Sequence, residues 1–153
     1  MRFVFLFLLL PGIAYSSCDQ SQRQVYGSEP TASELYEATK SIDNGAWQDG
    51  EFGTEKFFYL GHLKSRGKTV YATYLSTDWG LSECSRITNR LIFFDKHKKE
   101  IAQYYGVQKP EIKNGKLEFP KGETGLSSVD IIYGLPEQLN DGNDIFPIDR
   151  AQR

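Results

Sequence analysis

The chain has 153 residues, with 18 basic and 20 acidic side chains and a formal net charge of −2 at pH 7. Its length suits one compact domain, and its 10 Phe, 9 Tyr and 2 Trp supply large core side chains and favour strands. With the charge so close to balance, no basic face of the kind that neutralises phosphates stands out in the sequence, so we expect no nucleic-acid partner.

The amino-terminal segment has the organisation of a secretory signal peptide. Arg2 precedes a short apolar run and a Pro-Gly pair, and Ala14-Tyr15-Ser16 fits the small-x-small cleavage pattern. The run is shorter than the roughly 20 residues that span a bilayer, which argues against an uncleaved anchor. The sequence therefore predicts a signal peptide at 1–16, a single β-rich domain at 17–153, and a soluble protein that is periplasmic or secreted.

Because we expect the chain to be exported, the environment of its two cysteines, Cys18 and Cys84, should be oxidising. An isolated pair in an oxidising compartment favours a disulfide, here between the start of the mature chain and a loop in its middle. Two alternatives stay open. Cys18 could carry a lipid, because Ser16-Ser17-Cys18 resembles the end of a bacterial lipobox, although Tyr15 replaces the usual aliphatic residue; the other alternative is two free thiols.

The first predicted element is a helix from Ala32 to Ile42, which Asn44-Gly45 ends. Thr31 and Glu34 have the spacing of a capping box, in which they satisfy each other's free backbone donors. Apolar residues follow at helical spacing, namely Leu35, Ala38 and Ile42.

Strand patterns then recur at short intervals with turn sequences between them, which is typical of antiparallel sheets. The predicted strands are 57–63, 69–77, 86–94, 100–107, 111–113, 116–119 and 129–133. Turns are predicted at Ser65–Lys68 and at Asn114-Gly115, a loop at Asp78 to Ser85, and an irregular tail from Leu135.

We expect the fold to be organised around a β-hairpin from Arg86 to Val107. Its first strand should place three apolar residues on one face: Ile87, Leu91 and Phe93. Ile92 and Phe94 then make the end of that strand apolar on both sides, as in a central strand. The return strand is predicted to place three residues on one face: Ile101, Tyr105 and Val107. The charged tip at 95–99 should lie in solvent.

These elements predict a mainly β fold: a single-domain antiparallel meander that forms a barrel or a sandwich, with one short N-terminal helix over an opening or an edge. Six cations fall at predicted turn tips, where solvation accounts for them: Lys64, Arg66, Lys68, Lys96, Lys98 and Lys99.

Catalytic and metal-binding patterns are weak in this sequence. Its histidines are His62, in a predicted strand, and His97, in a lysine-rich turn that suits a general base poorly. The Asx-rich segment 140–144 lacks the spaced Glu of a calcium loop and is interpreted as a turn. We therefore assign no catalytic residue, no metal and no cofactor. Four carboxylates remain candidates for an acidic hydrolase: Asp78, Glu83, Glu100 and Asp130.

One loop has the composition of a protein-binding site. Its candidate partner contacts are Asp78, Trp79, Leu81 and Glu83. A rigid loop that presents a Trp gives a large contact area at small entropic cost, and two flanking carboxylates suit a basic exported enzyme or toxin. The alternative is that Trp79 folds back over the core.

The sequence thus favours an exported, non-enzymatic binding protein of the envelope or the extracellular space, such as a hydrolase inhibitor or a toxin immunity protein. The alternatives are a small secreted hydrolase that uses acidic residues and an accessory component of an envelope assembly. A concave cluster of carboxylates would favour the hydrolase, and a flat or convex face with Trp79 exposed would favour the binding protein.

Overall fold

A computed structural model of the protein describes residues 23–42, 53–79, 86–120 and 127–151. This part of the chain forms one helix and eleven strands: β1 (Arg23–Tyr26), α1 (Thr31–Ile42), β2 (Gly53–Ser65), β3 (Lys68–Trp79), β4 (Arg86–Phe94), β5 (Glu100–Tyr105), β6 (Glu111–Lys113), β7 (Lys116–Glu118), β8 (Ser128–Val129), β9 (Gln138–Asn140), β10 (Ile145–Pro147) and β11 (Asp149–Arg150). The predicted signal peptide and four predicted site residues lie outside the described residues: Cys18, Leu81, Glu83 and Cys84. The disulfide and its alternatives therefore stay predictions.

Six strands form the main sheet, in the order β1-β2-β3-β4-β5-β11. Neighbouring strands are antiparallel except for β1, which the sequence did not predict and which pairs parallel to β2. Within the described residues the sheet keeps two free edges, at β1 and β11, and closes no barrel. The predicted mainly β, antiparallel meander is confirmed, and its form is layered like a sandwich.

The main sheet has a hydrophobic core on each face. As predicted for a central strand, β4 contributes to both: Leu91 and Phe93 enter one core, and Ile92 and Phe94 enter the other. The first core is shared with the small sheets β6-β7-β8 and β9-β10, and the second lies beneath α1. The protein therefore has three layers, and each fully buried large apolar side chain contributes about 1.5–3 kcal/mol.

The helix α1 is confirmed, but it packs on a face of the main sheet rather than over an opening or an edge. The predicted capping box is wrong. The Glu34 N–H donates to Pro30 O, and the Glu34 carboxylate pairs with Lys98 in the β4–β5 turn. At the helix start it is the Glu29 carboxylate that accepts a hydrogen bond, from the Ser33 hydroxyl at 2.7 Å. A tertiary ion pair has thus replaced the local cap.

The turns predicted at Ser65–Lys68 and at Asn114-Gly115 are both confirmed. Arg66 and Gly67 join β2 to β3 with φ of 49° and 74°, and Asn114 and Gly115 join β6 to β7 with φ of 50° and 75°. Two successive residues in the left-handed region define a type I′ turn, whose twist matches that of the flanking strands.

The predicted face of the return strand is correct for Val107, which is buried in the first core, and for Ile101, which packs against that core. It is wrong for Tyr105, because the strand contains a bulge. Phe93 pairs with Ala102 and Phe94 pairs with Glu100, so Ile101 has no partner on β4 and the alternation changes. As a result Tyr104 is buried and Tyr105, which was predicted on the apolar face, is 44% exposed.

The last predicted strand, 129–133, is also shorter than expected. β8 ends at Val129, and a turn closed by a 2.9 Å hydrogen bond from Gly134 N–H to Ile131 O follows it. Ile131 is buried, whereas Tyr133 is 89% exposed. Alternation in the sequence marked the buried residue correctly but not the end of the strand.

The tail that was predicted to be irregular contains β9, β10 and β11. A series of side-chain hydrogen bonds holds β11 against β5. Arg90 Nη1 donates to Gln103 Oε1 at 3.3 Å, and Gln103 Nε2 donates to Asp149 Oδ2 at 3.1 Å. Arg90 and Gln103 are both buried, so these hydrogen bonds replace those that the side chains lose with water.

Candidate functional site

The predicted partner-binding segment begins inside a strand. Asp78 and Trp79 are the last residues of β3, whereas the sequence predicted a loop from Asp78 onward. The backbone of Trp79 pairs with Gly53 on β2 and with Arg86 on β4, so three neighbouring strands end together here. The rest of the predicted loop lies outside the described residues, and both roles proposed for Trp79 stay predictions.

Asp78 lies in a row of three side chains across this end of the sheet. It pairs with Thr54 on β2 and with Ile87 on β4, and residues paired across antiparallel strands point to the same face. The Ile87 side chain is 62% exposed, although alternation along β4 predicted it on the core face. A carboxylate and an exposed isoleucine therefore stand side by side.

Ile87 is exposed because the core ends before it. The last buried row on this face contains Tyr74 and Leu91, and the next row outward contains the polar residues Ser76 and Asn89. Ile87 is four residues, or about 13 Å along the strand, from Leu91. Alternation identifies the face of a strand but not where the covering layer stops, so no sequence signal separates these two residues.

The opposite face of this end is polar and hydrogen-bonded. The Tyr36 hydroxyl of α1 donates to Glu55 Oε2 at 2.8 Å, and Arg23 Nε lies 3.9 Å from the same oxygen. Burial raises the pKa of Tyr36, and the hydrogen bond to Glu55 raises it further, so the phenol stays protonated. Beside Glu55, the buried Thr77 hydroxyl has no hydrogen-bond partner within the part of the chain that the structure describes. This network joins β1, α1 and β2.

The hydrolase carboxylates that the structure describes do not gather at one point. Asp78 pairs with Ile87 at one end of β4. Glu100 pairs with Phe94 at the other end, seven residues or about 23 Å away. Asp130, beyond β8, lies 3.6 Å from a lysine of β7. Carboxylate pairs that hydrolyse glycosides are about 5–10 Å apart, so Asp78 and Glu100 do not form one.

In the Asx-rich segment 140–144, side chains accept hydrogen bonds from backbone N–H groups. The buried Asp141 carboxylate accepts hydrogen bonds of 3.0–3.1 Å from three backbone N–H groups, those of Gln108, Asn143 and Asp144. This confirms the interpretation of the segment as a turn.

His62 and His97 are both exposed, and no group of three or more metal-ligating side chains occurs among the described residues.

Comparison with known proteins gives no relative for this chain: no protein-family model, no curated protein and no solved structure matches it. In the described ranges, no helix is long and apolar enough to cross a membrane.

Proposed function

We propose that this protein is exported and acts without catalysis, by binding another protein through the end of the sheet that carries Asp78 and Ile87. The observation that supports this proposal is an isoleucine, 62% exposed and two rows beyond the core, paired with a carboxylate. Such a surface combines an apolar contact, which gains affinity by leaving water, with a charge that selects the partner.

The partner that fits this surface has an apolar contact site flanked by basic side chains. Trp79, Leu81 and Glu83, which follow Asp78 in the chain, are proposed to contact the partner at the same end of the sheet, so that two carboxylates flank an apolar centre. Basic exported hydrolases and toxins have the matching charge, which makes a hydrolase inhibitor or a toxin immunity protein the specific form of the proposal. The 23 Å between the positions of Asp78 and Glu100 removes one carboxylate pair that the hydrolase alternative could have used.

Affinity capture from the exported fraction, with matched variants, tests the proposal. Ile87→Glu and Asp78→Lys change the proposed surface, and Ile132→Glu is the control because Ile132 is also exposed, at 48%, but lies by the β2–β3 turn at the other end of the sheet. A partner held by wild type and by the control should bind the two surface variants about 30-fold more weakly, as for the loss of one interface anchor.

The variants must also keep the melting temperature of the wild type for the comparison to be valid. Full-strength binding by both surface variants, or equal loss in the Ile132→Glu control, would place the partner elsewhere and refute this surface.

A further inference from the structure

The turns that join β2 to β3 and β4 to β5 lie at the same end of the main sheet. Tyr71 near the start of β3 pairs with Phe94, the last residue of β4. Lys68, where β3 begins, is three residues or about 10 Å further out. This end is opposite to the one that carries Asp78, because β3 runs from the first end to the second.

Five exposed cations on these two turns form what we call the basic end: Lys64, Arg66, Lys68, Lys96 and Lys99. None of them forms an ion pair with another described residue. Lys64 Nζ donates to the Thr69 hydroxyl at 2.8 Å, and Arg66 Nε donates to Tyr133 O at 3.0 Å, but these neutral acceptors leave the charges uncompensated. The sequence showed each cation as a separate solvated turn residue, and the strand register brings them together.

The carboxylates at this end are fewer than its cations. Glu34 pairs with Lys98, and the Asp95 carboxylate accepts hydrogen bonds from the backbone N–H groups of His97 and Lys99 at 2.8 and 3.0 Å. Glu100, at the start of β5, also has an interaction partner. Asp95 keeps its negative charge, because backbone N–H groups do not neutralise it. Even with Asp95 and Glu100 both counted as negative, the five cations of the basic end leave a net positive charge.

An exposed aromatic side chain stands beside these cations. The Arg66 N–H donates to Ile132 O at 2.7 Å, so the turn that follows β8 is fixed against the β2–β3 turn. Its side chains are nevertheless in solvent: Tyr133 is 89% exposed and Ile132 is 48% exposed. A fixed backbone that presents apolar side chains among cations loses little entropy when those side chains are buried by a partner.

We propose that the basic end docks on an anionic membrane surface, with Tyr133 and Ile132 in the lipid headgroup region and the five cations facing anionic lipids. Tyrosine suits this position because its ring is apolar and its hydroxyl stays hydrated. Each lysine or arginine near an anionic bilayer strengthens binding about fivefold. This inference does not depend on the proposed function, which concerns the opposite end of the sheet.

The arrangement favours a lipid surface over a soluble polyanion. A polyanionic strand is bound along a groove or a continuous stripe of cations, whereas the cations of the basic end lie on the tips of two hairpins. The tips of hairpins can meet a plane together. An apolar Ile132 beside Tyr133 gains nothing from a hydrated polyanion but gains from partial burial in the headgroup layer.

Flotation of the purified chain with lipid vesicles tests this inference. We expect it to float with phosphatidylcholine vesicles that contain phosphatidylglycerol, and to stay behind with phosphatidylcholine alone. Lys96→Gln and Lys99→Gln should each weaken binding about fivefold, and together about 25-fold. Tyr133→Ser should weaken it about tenfold. Lys56→Gln and Tyr105→Ser, which change exposed residues away from the basic end, should have no effect.

Three results would overturn the inference. One is no flotation at low salt, and another is equal flotation with neutral vesicles. The third is binding to soluble heparin that the lysine variants weaken and Tyr133→Ser does not, with no binding to vesicles, which would assign the basic end to a soluble polyanion.

Discussion

Ile87 and Leu91 lie on the same face of the same strand, but only Leu91 is part of the core. We therefore expect Ile87→Ser to change the free energy of unfolding by less than about 0.5 kcal/mol. Leu91→Ala should cost about 2–5 kcal/mol, because it removes buried methyl groups and leaves a cavity. Urea denaturation of the two variants measures both values. A loss above about 2 kcal/mol for Ile87→Ser would show that this side chain packs against the fold, and would remove it from the proposed binding surface.

Three buried tyrosines predict that stability falls at alkaline pH. Burial raises the pKa of Tyr74 to about 12 and also raises the pKa of Tyr36 and of Tyr104. Because these folded pKa values lie above the unfolded value of about 10, stability should be complete below pH 10 and decrease as the pH rises through the folded values. Each tyrosine adds a slope of up to about 1.4 kcal/mol per pH unit.

Tyr74→Phe provides the test of this pH dependence. The variant loses the hydrogen bond from the Tyr74 hydroxyl to Val107 O, so it should be about 1 kcal/mol less stable at neutral pH. Its stability should then decline less steeply than that of the wild type between pH 10 and 12. Equal slopes in denaturant titrations across this pH range would contradict the assignment.

Two glycines next to strands, Gly115 and Gly27, differ in the space that is available for an added methyl group. Gly115, in the β6–β7 turn, has φ of 75° and open space around the position of a Cβ atom. Gly27, just after β1, has φ of 133°, and a Cβ atom there would lie 2.7 Å from Tyr59 Cβ. We expect Gly115→Ala to cost about 1 kcal/mol from backbone strain alone, and Gly27→Ala to cost about 3 kcal/mol or more because strain and overlap add. Thermal or urea unfolding of both variants measures the difference, and equal losses would show that β1 can move away from β2 without cost.

The elements that could be predicted from sequence are those with a strong local signal. Each two-residue hairpin turn carried a glycine, which adopts left-handed conformations readily, and Ile92 with Phe94 showed that β4 is buried on both sides. The bulge at Ile101 could not be predicted, because one unpaired residue leaves no trace in composition and still reverses the facing of Tyr104 and Tyr105. The short strands of the tail, β9, β10 and β11, form only by pairing with other strands. Their own sequences are too short to carry a strand pattern, so they could not be predicted.

The candidate surface was predictable only in part, for a reason at the scale of the whole molecule. Asp78 and Trp79 were found from composition, but Ile87 depends on how far the second layer of the sandwich extends over the main sheet. The basic end likewise depends on the register between β3 and β4, which places two separate turns at one end. Such juxtapositions of distant segments are properties of the packed layers and are not encoded in any single stretch.

The two proposed surfaces lie at opposite ends of β3, a strand of 12 residues that is about 36 Å long. A protein bound near Asp78 and a membrane bound at the basic end should therefore not compete. We expect the chain to recruit its partner to anionic vesicles, with the same affinity for the partner on vesicles as in solution. Release of the partner on vesicle binding, observed by flotation, would contradict this arrangement.

The edge strand β11 has a consequence for self-association. It is two residues long, yet it occupies the backbone groups of β5 that would otherwise be open to another molecule. A chain that ends at Ile148 would expose that edge, so we expect it to form dimers or larger aggregates by strand addition. A chain that ends at Ala151 keeps β11 and should associate no more than the 153-residue chain does. Light scattering distinguishes the two, and a non-associating chain ending at Ile148 would refute the expectation. Proteolytic trimming of a few residues would thus turn the sheet into a template for polymerisation.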